Sequence, residues 1–320
     1  MENRWLIGVD VGGTKIEAMA LDGERGVQGY GKVGTPQGSP QDLIRGIQSA
    51  TAQALEAAGG WPEEIRAIGV GVPGQVQGGV VRLAVNLGLR DFPMAEALRA
   101  IWNRPVRVEN DVRVAARGAY RLLSSQRAFR RLVYLSIGTG VAAAALLDGE
   151  PEVGADHLAG EIGHVVVEPD GPLCACGGRG CLEALVSGPA LVRQALEAIR
   201  MDPSTRLTQM HPLDAPAIYR AAREGDETAR RLIDRTARYL ALAIQWLGLT
   251  WDPEVLVIGG GLTAEGEAFL EPLRRALVHQ RGASRVGGEL FHSPDRIRLM
   301  PPSTRVALWG AVELAKRLAG

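Results

Sequence analysis

Cysteine is scarce in this chain: three residues in 320, all between positions 174 and 181. An odd number gathered in one short stretch does not read as a disulfide framework. It reads as a metal site or as chance clustering. Net charge is absent as well, with 36 Lys plus Arg against 36 Asp plus Glu. That argues against nucleic-acid binding as the main function, because neutralising phosphates needs a basic excess. Long apolar runs are also lacking. None reaches the roughly 18 residues that a membrane helix needs. The opening Met1-Glu2-Asn3-Arg4 has no signal-peptide core. The expectation is a cytoplasmic protein with no membrane or nucleic-acid partner. What is present is ordinary for a globular chain, 46% hydrophobic and 22% charged. The length suits two domains or one large one. Glycine is abundant, at 41 residues, which points to tight turns with backbone close to ligand.

Residues 5–10 and 15–21 are two apolar runs flanking Gly12-Gly13-Thr14, with Asp22-Gly23 as a further turn. This predicts an opening β-hairpin. Apolar residues at 43, 44, 47, 50, 54, 55 and 58 predict a helix over 42–58. Strands are predicted at 65–72 and 106–108, and helices at 94–102 and 112–123. The pattern then restarts, with strands at 132–137 and 141–147 around Gly138-Thr139-Gly140, and Asp148-Gly149 turning again. An internal duplication of a phosphate-holding hairpin is the physical reading. Helices at about 182–200, 214–223, 226–247, 265–280 and 305–318, with strands at 255–258 and 296–300, complete an alternating α/β pattern.

Glycine turns aim backbone N–H groups at an anion, and a Thr hydroxyl adds a donor. Asp10, beside the first turn, suits a water-mediated Mg²⁺. Each turn alone also reads as a plain hairpin; two equivalent turns suit a polyphosphate held from both sides. Gly259-Gly260-Gly261, after a strand, reads either as a tight turn or as a surface for a nucleotide base and ribose. Asp111, after Asn110, reads as a helix cap or as a general base toward a hydroxyl nucleophile. Cys174, Cys176 and Cys181, with His164 upstream, supply four ligands of the types Zn²⁺ takes. The alternative is three ordinary buried thiols. A filled shell would make the metal structural. One His164 nitrogen would face the ion and the other a ligand hydroxyl. Glu161 and Glu183 flank this loop. Asp, Glu, Asn and His together match a polyhydroxylated molecule. His157, His211, His279 and His292 lack such a context and are expected in surface or core roles.

Together these residues resemble the ROK family of bacterial sugar kinases and repressors, within the actin/hexokinase-like superfamily, over essentially the whole chain. Asp10-Val11-Gly12-Gly13-Thr14-Lys15 resembles the first phosphate motif, Gly138-Thr139-Gly140-Val141 the second, and Gly259-Gly260-Gly261 the adenosine motif. Ala84-Val85-Asn86-Leu87-Gly88 is similar to the loop whose Asn contacts sugar. Glu109-Asn110-Asp111 is similar to the catalytic segment. Gly160-Glu161-Ile162-Gly163-His164 and the run from Cys174 to Glu183 resemble the sugar and zinc signatures. The resemblance implies an α/β, two-lobed actin-like (ribonuclease H-like) ATPase fold. Each lobe is a mixed sheet with flanking helices, around a ligand cleft. A smaller lobe over 1–111 is expected to be joined by the last helix, 305–320. A larger lobe over 112–304 is expected to hold the zinc loop. The resemblance further implies ATP with Mg²⁺ as donor and the 6-hydroxyl of glucose as acceptor. Asp111 becomes the base, Asn86, Asn110, Glu161, His164 and Glu183 the sugar ligands, and a dimer or tetramer the assembly.

Two departures stand out. Val112 and Arg113 stand where the family commonly has a small residue and then Asn. An Arg there crowds the site, re-tunes it, or pairs with a carboxylate. Ala142 and Ala143 replace glycines after the second phosphate turn, and their methyl groups restrict backbone approach to phosphate. An N-acetylmannosamine or N-acetylglucosamine kinase is the alternative within enzymes. A non-catalytic sugar-binding protein or a sugar-sensing regulator is the alternative outside them. The regulator branch carries a DNA-binding segment ahead of the first phosphate motif, where only nine residues precede Asp10.

Overall fold

The computed structural model describes residues 4–26, 28–282 and 296–319. The chain opens with the expected hairpin. β1 (Trp5–Val11) pairs antiparallel with β2 (Lys15–Asp22), from Trp5 opposite Asp22 to Val11 opposite Ile16. A third strand, β3 (Gln28–Gly34), extends it beyond β2. Its alternating exposure and its glycines hid it from the apolar pattern. α1 (Pro40–Ala58) starts two residues before the predicted position. Ser39 and Asp42 close a reciprocal capping box there, and Pro40 occupies the first turn. Gly59, with φ of 70°, ends the helix.

β4 (Ile65–Val72) runs parallel to β1. β5 (Gln75–Gln77), β6 (Val80–Ala84) and β7 (Leu89–Phe92) form a small antiparallel sheet that the sequence pattern did not reveal. After α2 (Met94–Trp102), β8 (Val106–Asn110) pairs parallel with β4 and leads directly into α3 (Asp111–Ser124). The first large sheet therefore runs β3-β2-β1-β4-β8.

The second half repeats the theme with β9 (Arg131–Ile137), β10 (Val141–Leu147) and the short β11 (Glu150–Pro151). The helix expected over 182–200 is two helices, α4 (Glu183–Val186) and α5 (Gly188–Met201). The break falls at Ser187, whose hydroxyl accepts the Ala190 N–H at 3.2 Å to cap α5. Pro189, with a fixed φ and no N–H, suits the first turn of a new helix but not a helix interior. α6 (Ala215–Arg223), α7 (Glu227–Trp251), β12 (Val255–Gly259), α8 (Glu267–Gly282), β13 (Ile297–Leu299) and α9 (Val306–Ala319) follow. The second large sheet runs β11-β10-β9-β12-β13, with β12 parallel to both β9 and β13. His292 lies outside the described residues.

Two compact units result. One is Met1–Arg130 with Leu146–Ala159 and Arg305–Gly320; the other is Arg131–Ala145 with Gly160–Thr304. Each has its own apolar core, around Ile7, Ile47 and Ile68 in the first and Leu135, Ile244 and Ile258 in the second. The boundary lies at Arg130, not at the expected 111. The reason is that α3 packs tightly on α9. A Cβ on Gly118 would lie 1.9 Å from the Val306 carbonyl oxygen, and one on Gly310 would lie 1.7 Å from that of Val114. Only paired glycines allow two helices this close. The buried Arg117 of α3 also donates to the Gly149 carbonyl at 3.0 Å and to Glu150 at 2.7 Å, which holds the segment around β11 in the first unit.

Candidate active site

Three parallel strands of the first unit bring their carboxyl ends side by side. Asp10 of β1 lies opposite Gly71 of β4, and Val72 lies opposite Asn110 of β8. In open α/β sheets this edge is where ligands bind. Asp10 and Asp111 are near enough there to interact electrostatically. Burial first, then the Asp111 and Glu17 carboxylates, push the Asp10 carboxyl up to about 7, against the opposing pull of Lys15.

The cap of α3 is Asn110, not Asp111. The Asn110 side-chain oxygen accepts the N–H groups of Val112 (3.0 Å) and Arg113 (3.1 Å). Its amide nitrogen donates to the Gly74 carbonyl at 3.0 Å and to Asp111 Oδ1 at 3.2 Å. The same Asp111 oxygen accepts the Val112 N–H at 2.9 Å. Fixing one carboxylate oxygen sets the direction of the other, the arrangement a positioned base requires.

The first turn is closed by its own backbone. The Gly12 N–H donates to the Lys15 carbonyl at 2.8 Å, and the Thr35 hydroxyl donates to the Gly12 carbonyl at 2.6 Å. Thr14 and Lys15 are exposed, with Lys15 Nζ 2.6 Å from Glu17. Asn86 sits in a short turn between β6 and β7, and its Cβ lies 3.9 Å from where a Gly13 Cβ would be. Fold and turn thus bring Asn86 to the first Gly/Thr loop, although 73 positions of sequence separate Asn86 from Gly13.

In the second unit the Gly138 N–H donates to the Gly140 carbonyl at 3.0 Å. The Gly259-Gly260-Gly261 turn comes up against this loop. A Cβ on Gly138 would lie 3.4 Å from the Gly261 nitrogen. Gly260, at φ of 91°, leaves no room for a side chain beneath the Ile137 carbonyl. Glu183, in the first turn of α4, accepts the Val141 N–H at 3.0 Å, tying the candidate sugar set to the second Gly/Thr turn. Ala143 is buried in the core, and its backbone N–H donates to the Gly160 carbonyl at 2.7 Å. Its methyl group therefore serves packing.

Glu161 and His164 meet at 4.0 Å between carboxylate and Nε2. The opposite ring nitrogen, Nδ1, lies 3.8 Å from Cys174 Sγ. Cys176 and Cys181 sulfurs are 3.7 Å apart, too far for a disulfide. Ligand atoms of His164, Cys174, Cys176 and Cys181 all lie within 4.8 Å of one another. A tetrahedral ion with Zn–S of about 2.3 Å separates two sulfurs by about 3.8 Å, so the four donors fit a zinc ion in number, type and spacing. Burial, with hydrogen bonds from its own S–H to its sister sulfurs, pushes the Cys181 thiol up to about 12. Burial raises Cys174 as well, while the Gly178 N–H lowers Cys176.

Sequence reasoning missed three contacts that shape these sites: Glu183 to Val141, Thr35 to Gly12, and the bond of the buried Arg113 to the His157 carbonyl. That arginine pairs with Glu109 at 3.0 Å and donates to the His157 carbonyl at 2.6 Å. Of the three ways an arginine at 113 might act, pairing with a carboxylate is the one observed. Among the described residues, no helix is long and apolar enough to cross a membrane.

The chain is similar to known proteins over most of its length. A glucokinase of Streptomyces coelicolor is 33% identical over 319 residues, 97% of each chain. An N-acetylmannosamine kinase of Salmonella typhimurium is 30% identical over 278 residues, 86% of this chain and 88% of that one. The crystal structure of a ROK family glucokinase from Streptomyces griseus, in complex with glucose and AMPPNP, superposes with a TM-score of 0.82 at 31% identity, covering 98% of this chain and 99% of that one. The sequence model of the ROK family matches residues 6–317. With both Gly/Thr turns, the acidic strand ends and the Cys/His loop all inside that match, the chain belongs to the ROK family.

Proposed function

We propose that the protein is an ATP-dependent hexose kinase that phosphorylates the 6-hydroxyl of glucose. The observation that carries this reading is the placement of Asp10 and Asp111 at the carboxyl ends of β1 and β8, on either side of β4, one beside a Gly/Thr turn and one held by Asn110. Phosphoryl transfer asks for positioning and charge stabilisation more than for covalent help. Asp111 takes the proton of the attacking hydroxyl. The hydroxyl oxygen bonds to the terminal phosphorus, and the bond to the bridging oxygen breaks to release ADP. The two glycine turns hold the phosphates and Gly259-Gly260-Gly261 lies against the adenosine. Asp10 and Lys15 face the phosphate side, where Mg²⁺ would be held through Asp10 and supply charge neutralisation.

Asn86, Glu161, His164 and Glu183 read the sugar hydroxyls. Asn110, whose amide is occupied by Gly74 and Asp111, aims the base and contacts sugar only by exchanging one of those bonds. Zn²⁺ at His164, Cys174, Cys176 and Cys181 would be structural, with no open position, and would orient His164. Resemblance extends the proposal to a cytoplasmic homo-oligomer of two or four chains, which light scattering checks.

The test is kcat/KM for glucose, mannose, fructose, N-acetylglucosamine and N-acetylmannosamine at fixed ATP-Mg²⁺. Glucose should lead and fructose should be poor, because a site built for one hydroxyl pattern leaves its own polar groups unpaired with another. Preference for an acetamido sugar would overturn glucose in favour of an N-acetylhexosamine. Absence of turnover with all five would overturn the kinase reading.

A further inference from the structure

Arg113 is buried, its side chain 4% exposed. A buried guanidinium is tolerated only when its charge is paired and its donors satisfied. Here one end of the planar fork meets the Glu109 carboxylate at 3.0 Å and the other meets the His157 carbonyl at 2.6 Å. Both partners matter for what lies beyond them. The Glu109 oxygen that accepts from Arg113 also accepts the Asn110 N–H at 2.8 Å, one residue from Asp111. His157 belongs to the segment 152–159 and sits at φ of +57°, a left-handed conformation uncommon for non-glycine residues. Gln75 adds a bond to the neighbouring Asp156 carbonyl at 2.9 Å. Three residues past His157 the chain turns at Gly160, with φ of +99°, into Glu161 and His164.

We propose that Arg113 is a positioning residue for the acceptor sugar: its fork fixes the Glu109-Asn110-Asp111 segment against the strap 152–159. This rests on the sugar-kinase reading. Lysine would not replace it, since an ammonium lacks the fixed fork that reaches a carboxylate and a carbonyl at once.

The experiment uses the full chain and the variants R113K, R113M and R113M/E109Q. The double variant is included because R113M alone leaves a carboxylate buried without its cation and is prone to unfolding. Hydrogen exchange of peptides covering 152–159, without sugar, is read beside KM for glucose and KM for ATP. In the double variant, strap exchange should rise at least tenfold while β1 and α1 keep wild-type protection. KM for glucose should rise roughly 10–100-fold, the scale of a small misplacement of a positioning group, with KM for ATP within about twofold. R113K should fall between. Native strap exchange and native sugar KM in a folded double variant would overturn the proposal. So would a uniform rise in exchange over β1, α1 and the strap, which marks general destabilisation. If the wild type turns over no sugar, the kinase reading fails, and strap exchange alone decides whether Arg113 makes this link.

Discussion

Glu183 Oε2 accepts the backbone N–H of Val141 at 3.0 Å. A residue of the candidate sugar set thus holds the exit of the second Gly/Thr turn, and the two halves of the proposed chemistry share one carboxylate. E183A should weaken both glucose and ATP-analogue binding by roughly ten- to a hundredfold, the range for a lost hydrogen bond to a charged group. E183Q keeps an acceptor for Val141 and should weaken sugar binding while largely sparing the nucleotide. Calorimetric titration of each ligand separates the two. Equal losses for both ligands in E183Q would remove the link.

Asp111 is tested by D111N. The Asn side chain still offers an oxygen to the Val112 N–H, so the helix start should survive and thermal unfolding should change little. Turnover should fall about 10²–10⁴-fold, the usual range for loss of a general base. Near-normal turnover would assign the proton to another group.

Asp10 carries a pH dependence. Its carboxyl is raised to about 7, chiefly by burial. A raised carboxyl favours the protonated native state, so this contribution is fully present below the unfolded-state carboxylate range and is lost as pH rises through about 7. Holding the Mg²⁺ that accompanies the nucleotide needs the ionised form. Affinity for ATP-Mg²⁺ should therefore rise between pH 6 and 8, with proton release near 7. D10N should flatten both the binding and the stability profile over that window. An unchanged profile in D10N would place the titration elsewhere.

Zinc content should be about one ion per chain by elemental analysis, and C176S should lower it together with thermal stability. Because the Cys181 thiol sits near 12 without metal, loading zinc at pH 7 must expel its proton. Calorimetry in buffers of different ionisation enthalpy should show that release. Metal-free protein from a chelator-free preparation would exclude the site.

Gly310→Ala probes the seam between α3 and α9. The new methyl would fall 1.7 Å from the Val114 carbonyl oxygen, so the helices must separate. The expected loss is about 1–3 kcal/mol or more, read from urea unfolding of purified protein. A stability equal to wild type would mean that the seam yields at no cost.

Much of the fold was legible because it rests on local rules. The duplicated strand–turn–strand pattern and the apolar spacing of α1 are written in neighbouring residues. So is the Cys/His loop, whose donors lie within 18 positions, from 164 to 181. β3 and the small sheet of β5, β6 and β7 escaped, since half-exposed, glycine-rich strands carry little apolar signal and are defined by their partners. The break at Ser187 was readable from Ser-Gly-Pro, yet the surrounding apolar residues masked it.

Residue types and spacing thus determined the alternating α/β class, the two phosphate-type turns and the four metal-type donors. Tertiary structure alone decided which distant residues meet. It set Asn86 beside Gly13, Glu183 on Val141, Gly261 against Gly138 and Arg113 between Glu109 and His157. It also assigned α3 to the first unit, through glycines 192 positions apart, at 118 and 310. Sequence periodicity reports which face of an element is apolar. It carries no information on which partner that face, or a single buried charge, will find across the chain.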